Sequence, residues 1–512
     1  MMSAYKDIPQ MPLKDLLEGF VQVDDELYVA SLSVDARNIE PNGLFLAVSG
    51  SAAHGLIYAQ QAIDAGVAAI VYETKEDVEF LVEKLKKQSS VRLIELPNLS
   101  AHISEIAARF YQRPSADLAV IGITGTNGKT SVSHFIAQAM IEEKTRCGVI
   151  GTMGWGGVDS LRETINTTPD GVSVQQQLAC LHDEGFAVIA MEVSSHGLVQ
   201  GRVNAVEYKG AVFTNLSHDH LDYHQTMQAY GQAKLALFEY DSLEFAVVNQ
   251  DDAFSERILN VLRQGVRVIK VSRFESNAEI DCLFISNEQL LDSGLSFDVS
   301  LNGSSARVNS SLFGRFNVDN LALTIAALVA MGESFEDALK GVQKISSVAG
   351  RMQLVSNDKL AITVVVDYAH TPDALKLALS SLREHCKGKL KLVFGCGGDR
   401  DEAKRSLMGA VAAELADEVI ITNDNPRHES AEKITAQIKS GMSAFSQVET
   451  VLSREQAIHQ VIMSAGLNDI ILVAGKGHEN HQQIRDKKLA FSDVVEAQKA
   501  LRCRAGEARC KP

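Results

Sequence analysis

The sequence predicts an α/β protein with mostly parallel sheets, and three observations carry that expectation. Short β-branched runs alternate with helical patterns along the chain, as in Val67-Ala68-Ala69-Ile70-Val71 followed by a charged helical stretch at 75–87. Most of those runs end in glycine-rich or polar corners rather than two-residue hairpin turns, as parallel strands do where ligands bind beyond their carboxyl ends. At 512 residues the chain exceeds what one core serves, and at about 150 residues per domain it holds about three domains.

The elements follow in order. In the first third, strands are expected at 44–48, 67–71 and 91–96, with helical stretches at 59–65 and 75–87. The turn signal Arg113-Pro114-Ser115 places a boundary near 115, giving a first domain of residues 1–115. Strands at 118–123, 187–191, 211–214 and 246–248 follow, each entering a polar corner. Residues 266–313 read as antiparallel strands, and a helix at 317–331 follows Gly314-Arg315-Phe316. A central domain of residues 116–347 is therefore expected, with the next boundary just before Gly350-Arg351-Met352. The last domain, 348–512, repeats the habit: 362–366 enters Asp367-Tyr368-Ala369-His370, 391–394 enters Gly395, 419–422 enters Asp424, and 470–473 enters Gly475.

Composition excludes several classes of function. Hydrophobic residues make up 46% and charged residues 22%, too apolar for a disordered chain. Lys plus Arg number 49 against 65 Asp plus Glu, and a net charge of −16 opposes a nucleic-acid-binding surface. Cysteines 147, 180, 282, 386, 396, 503 and 510 form no CxxC pair, so free thiols in a reducing compartment are expected. The start, Met1 to Asp7, has no apolar signal core, and the apolar stretch at 321–331 is too short to span a bilayer. A soluble cytoplasmic protein without membrane insertion is expected.

The sharpest motif is Gly122-Ile123-Thr124-Gly125-Thr126-Asn127-Gly128-Lys129-Thr130-Ser131, between a strand and a helix expected from 132. Glycines let backbone N–H groups wrap phosphate oxygens, and the helix N-terminus adds positive character. Lys129 is placed to reach β- and γ-phosphates and Thr130 to hold Mg²⁺. The strict pattern has glycine where this chain has Ile123, so the loop is a variant. Glu192, at the end of a strand in Met191-Glu192-Val193-Ser194-Ser195-His196-Gly197, suits a hard cation, and His220 in Asp219-His220-Leu221-Asp222-Tyr223-His224 suits a second metal position. Either also reads as a hydrogen-bonded structural residue. Lys234 reads, from its own surroundings, as a surface helix lysine, and an ammonium ligates no cation. In the last third, Asp399-Arg400 and Asp424-Asn425-Pro426-Arg427 put two arginines at neighbouring strand ends, each able to grip a carboxylate bidentately. Ala474-Gly475-Lys476-Gly477-His478-Glu479 has the form of a ligand loop, and Arg351, Asp367 and His370 fall near an inferred hinge.

In this order the motifs resemble the Mur ligases, ATP-dependent amide-forming enzymes of peptidoglycan precursor synthesis. The anchors are the phosphate loop, Asn166-Thr167-Thr168-Pro169, 191–197, Asn215-Leu216 with 219–224, 314–320, Gly350-Arg351-Met352, 367–373 and 424–427. The match spans about residues 34 to 479. It implies an N-terminal UDP-binding domain, a central ATPase and a Rossmann-like C-terminal domain for an amino acid. It implies ATP as co-substrate through Gly125, Thr126, Asn127, Gly128, Lys129, Thr130, Ser131, Asn317, Arg351 and Asp367. Lys234 then matches a carbamoylated lysine (N6-carboxylysine) whose carbamate oxygens join Thr130, Glu192 and His220 around Mg²⁺. Val34, Ala36, Asn166, Thr167, Thr168, Ser194, Gln200 and Arg202 match positions that hold a UDP-muramoyl-dipeptide. Arg400, Asp424, Asn425, Pro426, Arg427, Gly475 and Glu479 match positions that hold meso-diaminopimelate. The activity implied is addition of meso-2,6-diaminopimelate to the D-Glu of UDP-N-acetylmuramoyl-L-alanyl-D-glutamate through an acyl phosphate, by a monomer acting on small molecules. Two departures concern the uridine end. Asp35-Ala36-Arg37 lacks the serine usual at its centre, and Ser51-Ala52-Ala53-His54-Gly55 lacks the frequent Asp before Gly55.

Overall fold

A computed structural model describes residues 10–23, 26–50, 53–75, 78–140, 145–164, 166–274, 280–357, 359–442 and 447–507. The chain falls into two compact units, Met1–Leu283 with Leu323–Val342, and Phe284–Ala322 with Gln343–Pro512.

The first unit holds two parallel sheets. Strands Ser31–Ser33, Gly43–Ala47, Ala69–Tyr72 and Arg92–Glu95 pair in sequence order. Ser51 and Ala52, part of the departing uridine loop, lie outside the described residues. The larger sheet runs Arg267–Ser272, Phe245–Asn249, Tyr208–Phe213, Ala119–Thr124, Val188–Glu192, Cys147–Gly151, all parallel, with Gly154–Gly156 antiparallel at the edge. Ile121, Ile189, Val212 and Val247 are fully buried, as the continuous apolar runs of a sheet covered on both faces require. Ala119–Thr124, first in sequence, is flanked by strands formed later on either side. That reversal opens a crevice beyond its carboxyl end, where the phosphate loop begins. The two sheets are tied by helix Leu99–Phe110 against Gly171–Asp183. There the Ser104 hydroxyl accepts from Ala205 N at 3.0 Å, and Gly171 leaves room for the Ser104 backbone.

The second unit holds a sheet ordered Gln353–Val355, Thr363–Asp367, Ile470–Ala474, Leu390–Phe394, Glu418–Ile421, Val448–Thr450; all but the first are parallel. Helices Pro372–Arg383, Ala403–Leu415 and Ala431–Ser440 bury Leu375, Met408 and Ile434 in one core. Arg454–Ser464 and Asp493–Arg504 bury Ile458 and Leu501 in another. Because Ile470–Ala474 returns between the first and second parallel strands, the ligand crevice lies at its carboxyl end, at Gly475. An antiparallel meander, Gly294–Leu301 with Ser304–Ser310 and most of Cys282–Leu291, also belongs here. His385 anchors it, accepting from Gly314 N at 3.0 Å and donating to Leu291 O.

Three expectations are corrected. Arg267–Ser272 pairs in parallel, not antiparallel, because helix Ser255–Val261 carries the chain back to enter it in the same direction. The loop helix starts at Lys129, three residues early, because Gly128 at φ +89° turns directly into it. Cys147, Cys180, Cys282, Cys386 and Cys396 are free, but Cys503 is disulfide-bonded. Spacing alone missed it because a disulfide needs spatial proximity, not a CxxC pair. No helix among the described residues is long and apolar enough to cross a membrane.

Candidate active site

The phosphate loop is shaped by two glycines in conformations other residues resist, Gly125 at φ +147° and Gly128 at φ +89°. A Cβ on Gly125 would lie 1.9 Å from Thr214 Oγ1, so only glycine fits. Helix Lys129–Ala139 has no side-chain N-cap, which leaves its first N–H groups open to an anion. Lys129 Nζ bends back to Gly125 O and Thr126 O, both at 2.9 Å. Just past the neighbouring strand Tyr208–Phe213, Asn215 Oδ1 accepts from Asn127 N at 3.0 Å and fixes the loop's outer edge.

Glu192 ends the adjacent strand and is 1% exposed. Its Oε2 accepts from the Thr130 hydroxyl at 2.9 Å, and its Oε1 from Thr152 N at 2.8 Å. The Thr152 hydroxyl faces both Glu192 Oε2 and Thr167 Oγ1, at 3.1 and 3.0 Å. Thr152 was missed in the sequence, where its only signal is its place at a strand's carboxyl end. Thr130 and Glu192 thus form an oxygen-rich corner beside the loop, a donor set suited to a hard cation.

Lys234 is the largest departure from local reading. It is 1% exposed rather than on the surface, because Tyr230, Ala233 and Leu235 of helix Met227–Leu235 are buried with it. Its Nζ donates to Gly125 O at 2.8 Å and lies 4.3 Å from the centre of the Tyr230 ring. Burial, then the neighbouring Lys129 charge, hold its ammonium well below the ordinary lysine range. The Tyr230 hydroxyl meets Thr126 Oγ1 at 3.2 Å, so one helix braces both loop and lysine.

His220 is exposed, at φ +52°, with Nε2 3.5 Å from Asp219. Its ring packs against His196 at 5.0 Å and Tyr230 at 6.1 Å between centres. The sidewall is aromatic: His196 also meets Tyr223 and His224, and His224 Nε2 pairs with Ser195 Oγ at 2.9 Å. Among the described residues no three His, Cys, Asp or Glu side chains are gathered to hold a metal. Glu192 adjoins Thr130, Lys234 adjoins the loop, and His220 turns to Asp219.

The positions matched to a muramoyl dipeptide form a connected rim. Thr168 Oγ1 donates to Glu192 O and accepts from Ser194 N, both at 2.9 Å, while the Ser194 hydroxyl caps helix Ser195–Val199. Arg202 donates to Thr168 O at 2.6 Å and to Gln200 Oε1 at 2.9 and 2.6 Å. Asn166 is exposed at the rim and Thr167 meets Thr152. At the far end, Ala36 is buried, so its methyl packs in the core. Asp35 pairs with Arg37 at 2.7 Å and caps the short helix Ala36–Asn38. His54, at the position before Gly55, caps the next short helix through Leu56 N at 3.1 Å. Val34, just before Asp35, is half-buried.

In the second unit, Asp367 accepts from Met352 N at 2.7 Å and Ala369 N at 2.8 Å; burial still pushes its carboxyl up. The Arg351 guanidinium lies 5.2 Å from the Tyr368 ring, and Tyr368 also packs against His370 and His478. A Cβ on Gly350 would lie 2.1 Å from His478 N, so the Arg351 turn presses directly on the Gly475-to-Glu479 loop. Asn317 is buried and donates to Phe313 O at 2.7 Å.

Beyond Ile470–Ala474 the matched acceptor residues converge. Lys476, fully buried, donates to Glu479 Oε2 at 2.6 Å and Asn425 Oδ1 at 3.1 Å; Asn425 donates to Glu479 at 2.8 Å. Asp424 is buried, and a Cβ on Gly475 would lie 2.7 Å from its Oδ2. Burial raises its carboxyl, opposed chiefly by Arg454 and Lys476. Pro426 carries the chain into Arg427, at φ +49°, whose Nη1 donates to Gly398 O at 2.6 Å. Hairpin strands His481–Ile484 and Lys487–Ala490 run beside that turn, with Gln483 O accepting from Arg427 N at 3.2 Å. Arg400 is exposed on the adjoining loop. In sequence Lys476 is one residue of a loop; its burial, not its spacing, singles it out.

Comparison with known proteins fits this arrangement. Residues 28–111 match the Mur ligase family catalytic domain, 123–328 the Mur ligase middle domain, and 350–477 the Mur ligase glutamate ligase domain. The chain belongs to the Mur ligase family. It is 44% identical to the UDP-N-acetylmuramoyl-L-alanyl-D-glutamate--2,6-diaminopimelate ligase of Coxiella burnetii over 93% of this chain and 96% of that one. Identity to the ligase of the same name from Pseudomonas aeruginosa is 42%, over 96% and 98%. A solved structure of a diaminopimelate ligase of that name superposes with a TM-score of 0.68 at 33% identity, covering 96% of this chain and 99% of that one. As a Mur ligase this chain is α/β with three family domains, and it consumes ATP to form an amide.

Proposed function

We propose that this Mur ligase adds meso-2,6-diaminopimelate to the D-Glu of UDP-N-acetylmuramoyl-L-alanyl-D-glutamate in peptidoglycan precursor synthesis, as a cytoplasmic monomer. The observation that carries it is the pocket of Asp424, Asn425, Arg427, Lys476 and Glu479 at a strand switch point, on a chain closely similar throughout its length to diaminopimelate ligases. Its three domains are assigned as 1–115, 116–347 and 348–512.

The D-Glu γ-carboxylate attacks the γ-phosphorus of ATP, giving an acyl phosphate and ADP. The acceptor amine then attacks the acyl carbon, a proton leaves the nitrogen, and phosphate departs. A carboxylate alone would have to expel oxide; phosphate is the better leaving group. Two anions must meet in the first step, so Lys129 and the loop N–H groups neutralise phosphate charge and stabilise the transferring group. Gln200, Arg202 and Thr168 hold the peptide, while Arg400 and Arg427 orient the acceptor through its carboxylates. Thr130, Glu192, His220 and Lys234 as its carbamate would hold Mg²⁺, which would supply further charge neutralisation. The buried Lys234 amine, held below the ordinary lysine range, fits that modification, since only the neutral form adds to carbon dioxide. Asn317, Arg351 and Asp367 are assigned to the nucleotide. The test is phosphate release with the UDP-muramoyl dipeptide, ATP and Mg²⁺, supplying diaminopimelate or lysine. Diaminopimelate should support turnover at least tenfold faster; equal rates would overturn the assignment of the acceptor.

A further inference from the structure

Beneath the acceptor pocket lies a charged pair that contacts none of the residues assigned to diaminopimelate through its own charge. Arg405, on helix Ala403–Leu415, has a fully buried side chain. Its guanidinium grips Glu429 through two bonds, at 2.8 and 2.9 Å, and also donates to Gln437 and, at 3.1 Å, to Gly397 O. Glu429 in turn accepts from Asp399 N, while its own N–H donates to Pro426 O at 3.0 Å. The pair therefore clamps the turn carrying Arg400 to the turn carrying Arg427. Between those turns, Gly398 N donates to Asn425 O at 2.9 Å, and a Cβ on Gly398 would lie 2.0 Å from Pro426 O. The turns touch backbone to backbone, and the clamp sets how they touch.

We infer that Arg405 and Glu429 are positioning residues that fix the spacing of Arg400 and Arg427, and so set the preference for an acceptor with a second carboxylate. This rests on the proposed acceptor reading. A buried ion pair seldom stabilises more than well-packed apolar side chains of similar volume, because desolvation offsets attraction. Arg405 Nε moreover is buried with no hydrogen-bond partner among the described residues, a cost that stability alone does not explain. What such a pair supplies and a methionine pair does not is directional bonding to Gly397 O and Asp399 N. Bidentate recognition of a carboxylate tolerates little misplacement of the guanidinium, so a small shift between the turns weakens the doubly charged acceptor most.

The experiment uses the full chain with Arg405→Met/Glu429→Met together, replacing the charges by side chains of similar bulk. The expected result is a folded protein whose KM for diaminopimelate rises at least tenfold. KM for ATP and the UDP-muramoyl dipeptide stay within twofold, and discrimination against lysine falls at least fivefold. A folded double variant with unchanged diaminopimelate KM and unchanged discrimination overturns the positioning role. Should the double variant not fold, Arg405→Lys carries the test. A lysine has no planar fork to span Glu429 and Gly397 O together, so KM should rise at least threefold, and an unchanged KM overturns the inference. Wild-type protein that ignores diaminopimelate overturns the acceptor reading and this inference together, whereas normal wild-type turnover with an unaffected variant removes the inference alone.

Discussion

The phosphate-loop site and the acceptor pocket set their cationic side chains against different kinds of group. At the loop, Lys129 and Lys234 both reach Gly125 O, a neutral carbonyl, and helix N–H groups stand uncapped. In and around the acceptor pocket, cations meet anions already: Lys476 with Glu479, Arg405 with Glu429, and Arg454 with Asp493 at 2.7 Å. Arg454 also donates to Asn423 O and Ala474 O, bracing two strand ends under Asp424 and Gly475. The first region lines the loop with lysine and backbone N–H donors, which suits a polyanion that changes charge during reaction. The second is preorganised before its ligand binds, which suits discrimination between similar amino acids.

Substitutions should divide along that line. The largest effect is expected at Lys129→Ala, where loss of the charge facing the transferring group should lower kcat by about a thousandfold or more in a phosphate-release assay. Lys234→Ala should follow, with activity falling roughly a hundredfold or more and returning in part when small carboxylic acids are added to replace carbamate oxygens. Full activity without added acid would remove Lys234 from the site. Arg427→Ala should act on binding instead, raising the diaminopimelate KM roughly ten- to hundredfold for one lost charge-assisted contact while leaving the ATP KM within twofold. A fall in kcat with unchanged KM at Arg427 would erase the division between regions.

How much of this could be read from sequence follows the same divide. The phosphate loop is contiguous, and its Gly-Lys-Thr chemistry is local, so its residues and the strand-to-helix setting were legible at once. Only its helix start was misplaced. Glu192 and Asp424 stood out as candidates because polar residues at strand ends contrast with apolar runs. Lys234 was illegible by itself, since nothing in Gly231-Gln232-Ala233-Lys234 announces that the helix buries its lysine against the loop; family resemblance supplied it. Thr152, Arg405 and Arg454 were missed because their roles come from contacts across 40, 24 and 39 residues of chain, which no local pattern encodes. Strand direction at 267–272 was misread for the same reason, since pairing partners are chosen in space.

The smallest effect expected is one of pH on stability. The Arg405 guanidinium lowers the Glu429 carboxyl from its ordinary 4.5 to about 2. A carboxylate held low in the folded state contributes stability that is complete above pH 4.5 and is lost as pH falls toward 2. Glu429→Gln should therefore narrow the gap to wild type in denaturant melts as the pH drops through that window. A gap that stays constant with pH would mean that the pair is not ionised as drawn.

One measurement reaches furthest. With γ-labelled ATP, UDP-muramoyl dipeptide and Mg²⁺, product and phosphate should appear in equal amounts only when diaminopimelate is present, and without any amino acid the release of phosphate should be nearly silent. Sustained ATP hydrolysis with no amino acid present, or label that never passes to phosphate in step with amide formation, would contradict the transfer of the γ-phosphoryl group to the peptide carboxylate.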